Sequence, residues 1–134
     1  MAPVARVIGA HTMRIKFVFA LVSVLSLAIT PVANAHAQVV QTNPVKGSAV
    51  LVSPSLVWIE YDGNLLELDE KKINSLTVTD SKGKRVDNSK TIIAGARVST
   101  KIKGVLKKGK YQVKYRVVSE DGHPVQGSYF FSVK

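Results

Sequence analysis

The sequence predicts an all-β domain, a sandwich or barrel of short strands, that follows a cleaved signal peptide. Apolar and polar residues alternate with a period of two, as in KYQVKYRVV (110–118). Other runs, such as LVWIEY (56–61), are rich in β-branched or aromatic residues. Turn-forming pairs, among them Asn43-Pro44, Lys108-Gly109 and Asp121-Gly122, separate these runs. Short strands divided by turns are typical of an antiparallel sandwich or barrel.

The presequence occupies residues 1–35. A basic start (13–16) precedes a 13-residue apolar run (17–29), and Ala33 and Ala35 form a small-x-small cleavage site. Thirteen residues are too few to span a bilayer, which takes about 20. We expect cleavage after Ala35, a mature chain that begins at His36, and export to the periplasm or cell envelope. Met13 is an alternative start codon, and no later segment is apolar enough to span a membrane.

The predicted strands follow one another through residues 36–134. The first is AQVVQT (37–42), and the others are LVWIEY (56–61), SLTVTD (75–80), RVSTKIK (97–103), KYQVKYRVV (110–118) and VQGSYFFSV (125–133). The alternation places Tyr111, Val113, Tyr115 and Val117 on one face of their strand, which we expect to be buried. Residues 64–74 are predicted to hold one helical turn.

Composition limits the function classes. The 99 residues from 36 to 134 make one domain. Three of the 19 basic residues lie in the presequence and all nine acidic ones lie outside it, so the mature charge is +7. The lysines are spread along strands and turns, which indicates solvated faces rather than a nucleic-acid site. The chain has no cysteine, and both methionines lie in residues 1–35, so the mature domain offers no sulfur ligand.

Cleavage would leave two histidines, His36 and His123. An N-terminal histidine offers its α-amine and ring Nδ1 to one metal ion, and a metal readily displaces the amine proton near neutral pH. In Asp121-Gly122-His123 the two side chains are two residues apart and, in an extended chain, point the same way. Three nitrogens and one carboxylate in a roughly square arrangement suit Cu(II). Asp-Gly is also a common turn pair, so this motif alone is more often a turn than a ligand pair.

These residues resemble the CopC-like periplasmic copper-binding proteins. The shared motifs are His36 after the signal, NPVKGSAV (43–50), the P-x-x-V-x-I-x-Y strand (54–61), VTDSKGK (78–84) and, most specific, GKYQVKYRVVSEDGHPVQGSYFFSV (109–133). The resemblance implies a seven-stranded Greek-key β-sandwich or barrel of the Ig-like or cupredoxin-like kind. It also implies one Cu(II) per chain, bound by His36, Asp121 and His123, and a copper-transport or resistance role with an inner-membrane transporter of the CopD type.

The chain departs from the family pattern at several positions. Gln38 stands where many members have a histidine, and Tyr115 stands where the family run has tryptophan. Some members use a glutamate where this chain has Gly63, with Asp62 beside it. The methionine-rich Cu(I) site of some members has no counterpart here.

Two other functions stay open from the sequence. An N-terminal histidine with a second histidine also forms the copper brace of oxidative polysaccharide monooxygenases, although the chain shows no other catalytic set. A metal-free sandwich that docks a partner or an anionic surface through its lysines is the third possibility.

Overall fold

The computed structural model describes residues 36–134 and Pro3, and the described part is all-β. The predicted signal peptide otherwise lies outside the described residues. The eight strands are β1 (Val39–Asn43), β2 (Ala49–Val50), β3 (Leu56–Tyr61), β4 (Ser75–Thr79), β5 (Ile92–Ala94), β6 (Arg97–Lys101), β7 (Gly109–Val118) and β8 (Pro124–Val133). Within this part, no helix has the length and apolar character needed to cross a membrane.

The strands form two four-stranded sheets. The first has the order β1-β3-β6-β5 and the second has the order β2-β8-β7-β4. The sandwich class is therefore confirmed, with two very short strands, β2 and β5, that the pattern does not predict. The pairings between these strands are antiparallel except that β2 pairs with β8 in parallel.

The helical turn expected in residues 64–74 does not form. Leu65 instead makes an antiparallel bridge with Ser119, and the amide of Leu66 donates to the Val118 carbonyl. The segment lies against the end of β7, and its own hydrogen bonds to that strand take the place of helical ones.

The core lies between the sheets and uses the faces that the alternation predicts. From β7, Tyr111, Val113 and Val117 are buried, and Tyr115 is half-buried. The largest fully buried hydrophobic side chains are Phe131, Ile59, Leu76, Val57, Val78, Val98, Val113 and Val117. In β3, β4 and β6 every second residue is buried, so the apolar face fixes the register of these strands.

The long hairpin of β7 and β8 gives the domain two distinct ends. Its strands pair over their whole length, from Gly109 with Val133 to Val118 with Pro124. The turn 119–123 closes the hairpin at one end, and the chain enters β1 beside it. Ten residues at about 3.3 Å each separate this end from the opposite one by about 30 Å.

Candidate metal centre

The Asp121-Gly122-His123 motif forms the tight turn of the β7–β8 hairpin. The Ser119 amide donates to the His123 carbonyl at 2.9 Å, and the Gly122 amide donates to the Ser119 carbonyl at 2.8 Å. Gly122 has a φ of +87°, which a residue with a Cβ rarely adopts. The extended conformation expected for this motif is therefore wrong. The motif is therefore a turn, and its conformation still allows Asp121 and His123 to act as a pair of ligands.

The two oxygens of Asp121 have different partners. Oδ1 accepts hydrogen bonds from the Ser119 hydroxyl and, at 3.1 Å, from the His123 amide. Oδ2 faces the imidazoles, 2.9 Å from Nδ1 of His123 and 3.5 Å from Nδ1 of His36. One oxygen therefore fixes the carboxylate to the turn, and the other is directed to both rings.

These contacts also keep the carboxylate ionised. The hydrogen bond from Ser119, followed by the one from the His123 amide, holds the pKa of Asp121 well below its usual range. Asp121 thus stays an anion at any pH at which imidazole can bind a metal. The pKa of Asp121 is lower in the folded chain than in the unfolded chain. The ionised carboxylate therefore stabilises the fold fully when the pH is above the pKa of the unfolded chain. That contribution to stability is lost as the pH falls through the pKa of Asp121 in the folded chain.

Backbone pairing just before β1 holds His36 in place. The Gln38 amide donates to Oδ1 of Asp62 at 2.6 Å, and the Asp62 amide donates to the Gln38 carbonyl at 3.0 Å. Ala37 is buried, and His36 itself is exposed. Because Asp62 directly follows β3, this pair ties the start of the domain to the first sheet and sets His36 beside the hairpin turn of the second.

The structure brings together the three residues that the sequence singles out. His36, Asp121 and His123 each offer a ligand atom, and these atoms lie within 4.8 Å of one another. The two imidazole centroids are 4.6 Å apart, with the rings inclined at 64°. Donors at about 2 Å from one metal ion lie about 2.8 Å apart when adjacent and about 4 Å apart when opposite. The distances from Oδ2 of Asp121 to the two Nδ1 atoms, 2.9 and 3.5 Å, lie in this range, and the 4.8 Å bound on the whole cluster lies slightly beyond it.

Asp62 has a different role from His36, Asp121 and His123. It is not part of the donor cluster found among residues 36–134. Its carboxylate is used by the Gln38 amide, so it positions the segment that carries His36. Ser119, which orients Asp121, was not singled out from the sequence. Its position two residues before the aspartate of an Asp-Gly turn is the signal that could have found it, because Ser and Asp side chains commonly bond within such turns.

Three tyrosines, Tyr61, Tyr115 and Tyr129, pack between the two sheets near the candidate metal centre. Tyr115 lines a shallow groove together with His36 and Gln126. Its ring lies 6.4 Å from that of Tyr61, at 74°. A Cβ at position 127 would lie 2.5 Å from its hydroxyl, so a larger residue there would require the Tyr115 ring to shift. Burial raises the pKa of Tyr129 to about 12 and raises that of Tyr61 as well, so these phenols stay neutral.

We expect the Ser119→Ala variant to raise the pKa of Asp121 toward the ordinary value of about 3.9, because it removes the hydrogen bond that contributes most to lowering that pKa. A carboxyl-carbon NMR titration of the metal-free protein measures the change. Ser128→Ala, at an exposed position of β8, is the matched control and should leave the Asp121 titration unchanged. Equal titration curves for both variants and the wild type would contradict the assigned role of Ser119.

Comparison with known proteins identifies the family of this domain. The family model of the CopC domain matches residues 39–134. The chain belongs to the CopC domain family. The matched region contains Asp121 and His123 and begins just after His36.

Similar solved structures share the fold. CopC from Methylosinus trichosporium is 31% identical, with a TM-score of 0.64, over 74% of this chain and 94% of that one. PcoC, a methionine-rich copper resistance protein from Escherichia coli, is 26% identical, with a TM-score of 0.60, over 74% and 99% of the two chains. This CopC-domain chain has no methionine after residue 13, so it lacks the residue type for which PcoC is described.

Two further proteins are similar to this chain in sequence. The copper transport protein CutJ of Bacillus subtilis is 35% identical over 102 residues, which are 74% of this chain and 18% of CutJ. This chain therefore spans about a fifth of the length of that relative. Protein YobA of Escherichia coli is 28% identical over 87% of this chain and 93% of its own length.

Proposed function

We propose that this CopC-domain protein binds one Cu(II) ion through His36, Asp121 and His123 and serves copper transport, buffering or resistance in the cell envelope. The observation that carries the proposal is the convergence of both imidazoles on one anchored carboxylate oxygen. His36 lies just before the first strand of one sheet, and Asp121 and His123 lie in a turn of the other, so these contacts join two segments that are distant in the chain. Binding of a shared cation accounts for their arrangement.

Signal cleavage supplies the remaining ligand in this proposal. If the chain is cut after Ala35, His36 gains a free α-amine. That amine and the Nδ1 of the same residue close a six-membered chelate ring on one metal ion. Nδ1 is the His36 nitrogen that faces Asp121, as the chelate requires. The complete set is then two imidazoles, one amine and one carboxylate.

The donor types favour Cu(II). Nitrogen and oxygen donors in a tetragonal arrangement suit Cu(II), and thiolate or thioether donors select Cu(I). Residues 36–134 contain neither cysteine nor methionine. We therefore assign a single Cu(II) site and no tight Cu(I) site.

Copper handling is favoured over oxidative catalysis. The named relatives are a copper transport protein and a copper resistance protein. An oxidative copper brace needs an open coordination position beside its two histidines, and here Oδ2 of Asp121 lies within 3.5 Å of both. We assign no enzymatic activity, and we propose an inner-membrane copper transporter of the CopD type as the partner that exchanges the ion.

Copper titration of the exported protein tests this function. Mass spectrometry should find His36 as the first residue, and isothermal titration should show one equivalent of Cu(II). Electron paramagnetic resonance should show a tetragonal signal with nitrogen coupling. The matched control is the same protein with Ala35 retained, which should bind Cu(II) more weakly because the amine is then a peptide nitrogen.

Two results would contradict the proposal. A stoichiometry of zero would favour a metal-free interaction module. Sustained oxygen uptake with ascorbate, abolished by His123→Ala, would favour an oxidative enzyme instead.

A further inference from the structure

Three aliphatic side chains protrude from the end of the domain opposite the candidate metal centre. Leu51, Val52 and Val105 are 81%, 78% and 83% exposed, the highest values among the large hydrophobic residues of the described chain. Leu51 and Val52 continue past the end of β8, since Val50 pairs with Val133 in parallel. We call the two loops that carry them, residues 51–55 and 103–108, the distal tip.

The two loops of the distal tip are held together. The Leu106 amide donates to Oγ of Ser53 at 2.8 Å, and the Leu106 side chain is buried. The Tyr111 hydroxyl donates to the Lys107 carbonyl at 2.6 Å. The exposed aliphatic residues therefore stand on anchored loops, and their exposure is a feature of the fold.

Charge separates along the long axis of the domain. The segments 80–84 and 103–110 lie at the distal end and carry one carboxylate, Asp80, against six lysines: Lys82, Lys84, Lys103, Lys107, Lys108 and Lys110. The segments 62–74 and 119–123 lie at the metal-centre end and carry two lysines against six carboxylates: Asp62, Glu67, Asp69, Glu70, Glu120 and Asp121. Lysines that are scattered along the sequence are therefore shared unequally between the two ends of the fold.

We propose that the distal tip docks on an anionic lipid bilayer. Aliphatic side chains on convex loops can enter the boundary between headgroups and acyl chains, and the surrounding lysines remain level with the lipid phosphates. The positive charge of the tip complements anionic headgroups. The acidic end, with the metal centre, then faces away from the bilayer at a height of about 30 Å.

Vesicle sedimentation tests the docking. The purified protein should bind vesicles containing about one third phosphatidylglycerol, and bind pure phosphatidylcholine vesicles far less, since each lysine near an anionic surface contributes about fivefold to partitioning. Lys107→Gln/Lys108→Gln should weaken binding on the order of 25-fold. Lys71→Gln/Lys72→Gln, which removes an identical pair at the acidic end, is the matched control and should change it little.

A second pair of variants tests the aliphatic contribution. Leu51→Ser/Val105→Ser should reduce binding about tenfold or more, because two aliphatic side chains no longer enter the boundary. The control is Val40→Ser, at a 64% exposed position on β1, which should not reduce vesicle binding. Equal losses from both lysine pairs, or equal binding to both vesicle types, would overturn the proposal. Failure to bind any vesicle together with saturable binding to an acidic polypeptide would assign the tip to a protein partner instead.

The docking is independent of the proposed copper site. His123→Ala should bind vesicles as the wild type does, and the Lys107→Gln/Lys108→Gln variant should bind copper normally. Failure of either proposal would therefore leave the other unaffected.

Discussion

The His123→Ala variant of the processed protein is expected to bind Cu(II) at least 100-fold more weakly than the wild type. Loss of a group that only orients a ligand typically costs about 10- to 100-fold in metal affinity, so loss of a ligand should cost at least as much. The imidazole of His123 is the closer of the two to Asp121, at 2.9 Å. Competition titration against a chelator of known Cu(II) affinity measures the loss.

The fold of the variant should stay intact. The hydrogen bonds that shape the turn use the backbone of His123 and the side chain of Asp121. The matched control is Glu120→Ala, which truncates the neighbouring exposed side chain of the same turn and should keep wild-type affinity. A His123→Ala variant that binds Cu(II) as tightly as Glu120→Ala would place the ion elsewhere on the protein.

Sequence periodicity predicted the parts of this fold that local patterns determine. The faces of β7 and β8 alternate because one face of each strand is buried, and this alternation is visible in the sequence. β2 and β5 have only two and three residues, and they exist because longer neighbours pair with them. Such short strands have no period of their own to detect.

Tertiary hydrogen bonds also overrode a local preference in residues 64–74. The segment contains good helix formers, but Asn74 is held at both ends of its amide. Its Nδ2 donates to the Leu66 carbonyl at 2.7 Å, and its Oδ1 accepts from the Val118 amide at 2.8 Å. These contacts span up to 44 residues, so the sequence around the segment could not reveal them.

The sequence singled out the three residues of the candidate site, but it did not indicate how the fold holds them together. The scarcity of histidines and the cleavage site singled out His36, and the Asp-Gly-His motif added the other two residues. How His36 reaches the hairpin depends on the bond between Gln38 and Asp62, which are 24 residues apart. The separate roles of the two Asp121 oxygens likewise depend on a turn conformation that only the folded chain shows.

Copper should raise the melting temperature of the processed domain by about 10–20 °C. In the proposed site, His36 precedes β1, an edge strand of the first sheet, and Asp121 and His123 lie in a turn of the second sheet. A bound ion would join the two sheets and hold a chain end that otherwise tends to fray. A ligand specific to the folded state adds about 2.7 kcal/mol at a hundredfold excess over Kd, and each kcal/mol is worth about 4–8 °C in a domain of this size. Differential scanning calorimetry with and without Cu(II) measures the shift.

The decisive control inserts one glycine before His36. The variant keeps every side chain of the site and moves the free amine off the histidine, so the chelate ring cannot close. It should melt like the wild type without copper and lose most of the copper-induced shift. Hydrogen exchange adds a local readout, because copper should protect the amides of β1 in the wild type and much less in the variant. Equal shifts in both proteins would show that the amine is not a ligand, and that the stabilisation comes from copper bound at another set of residues.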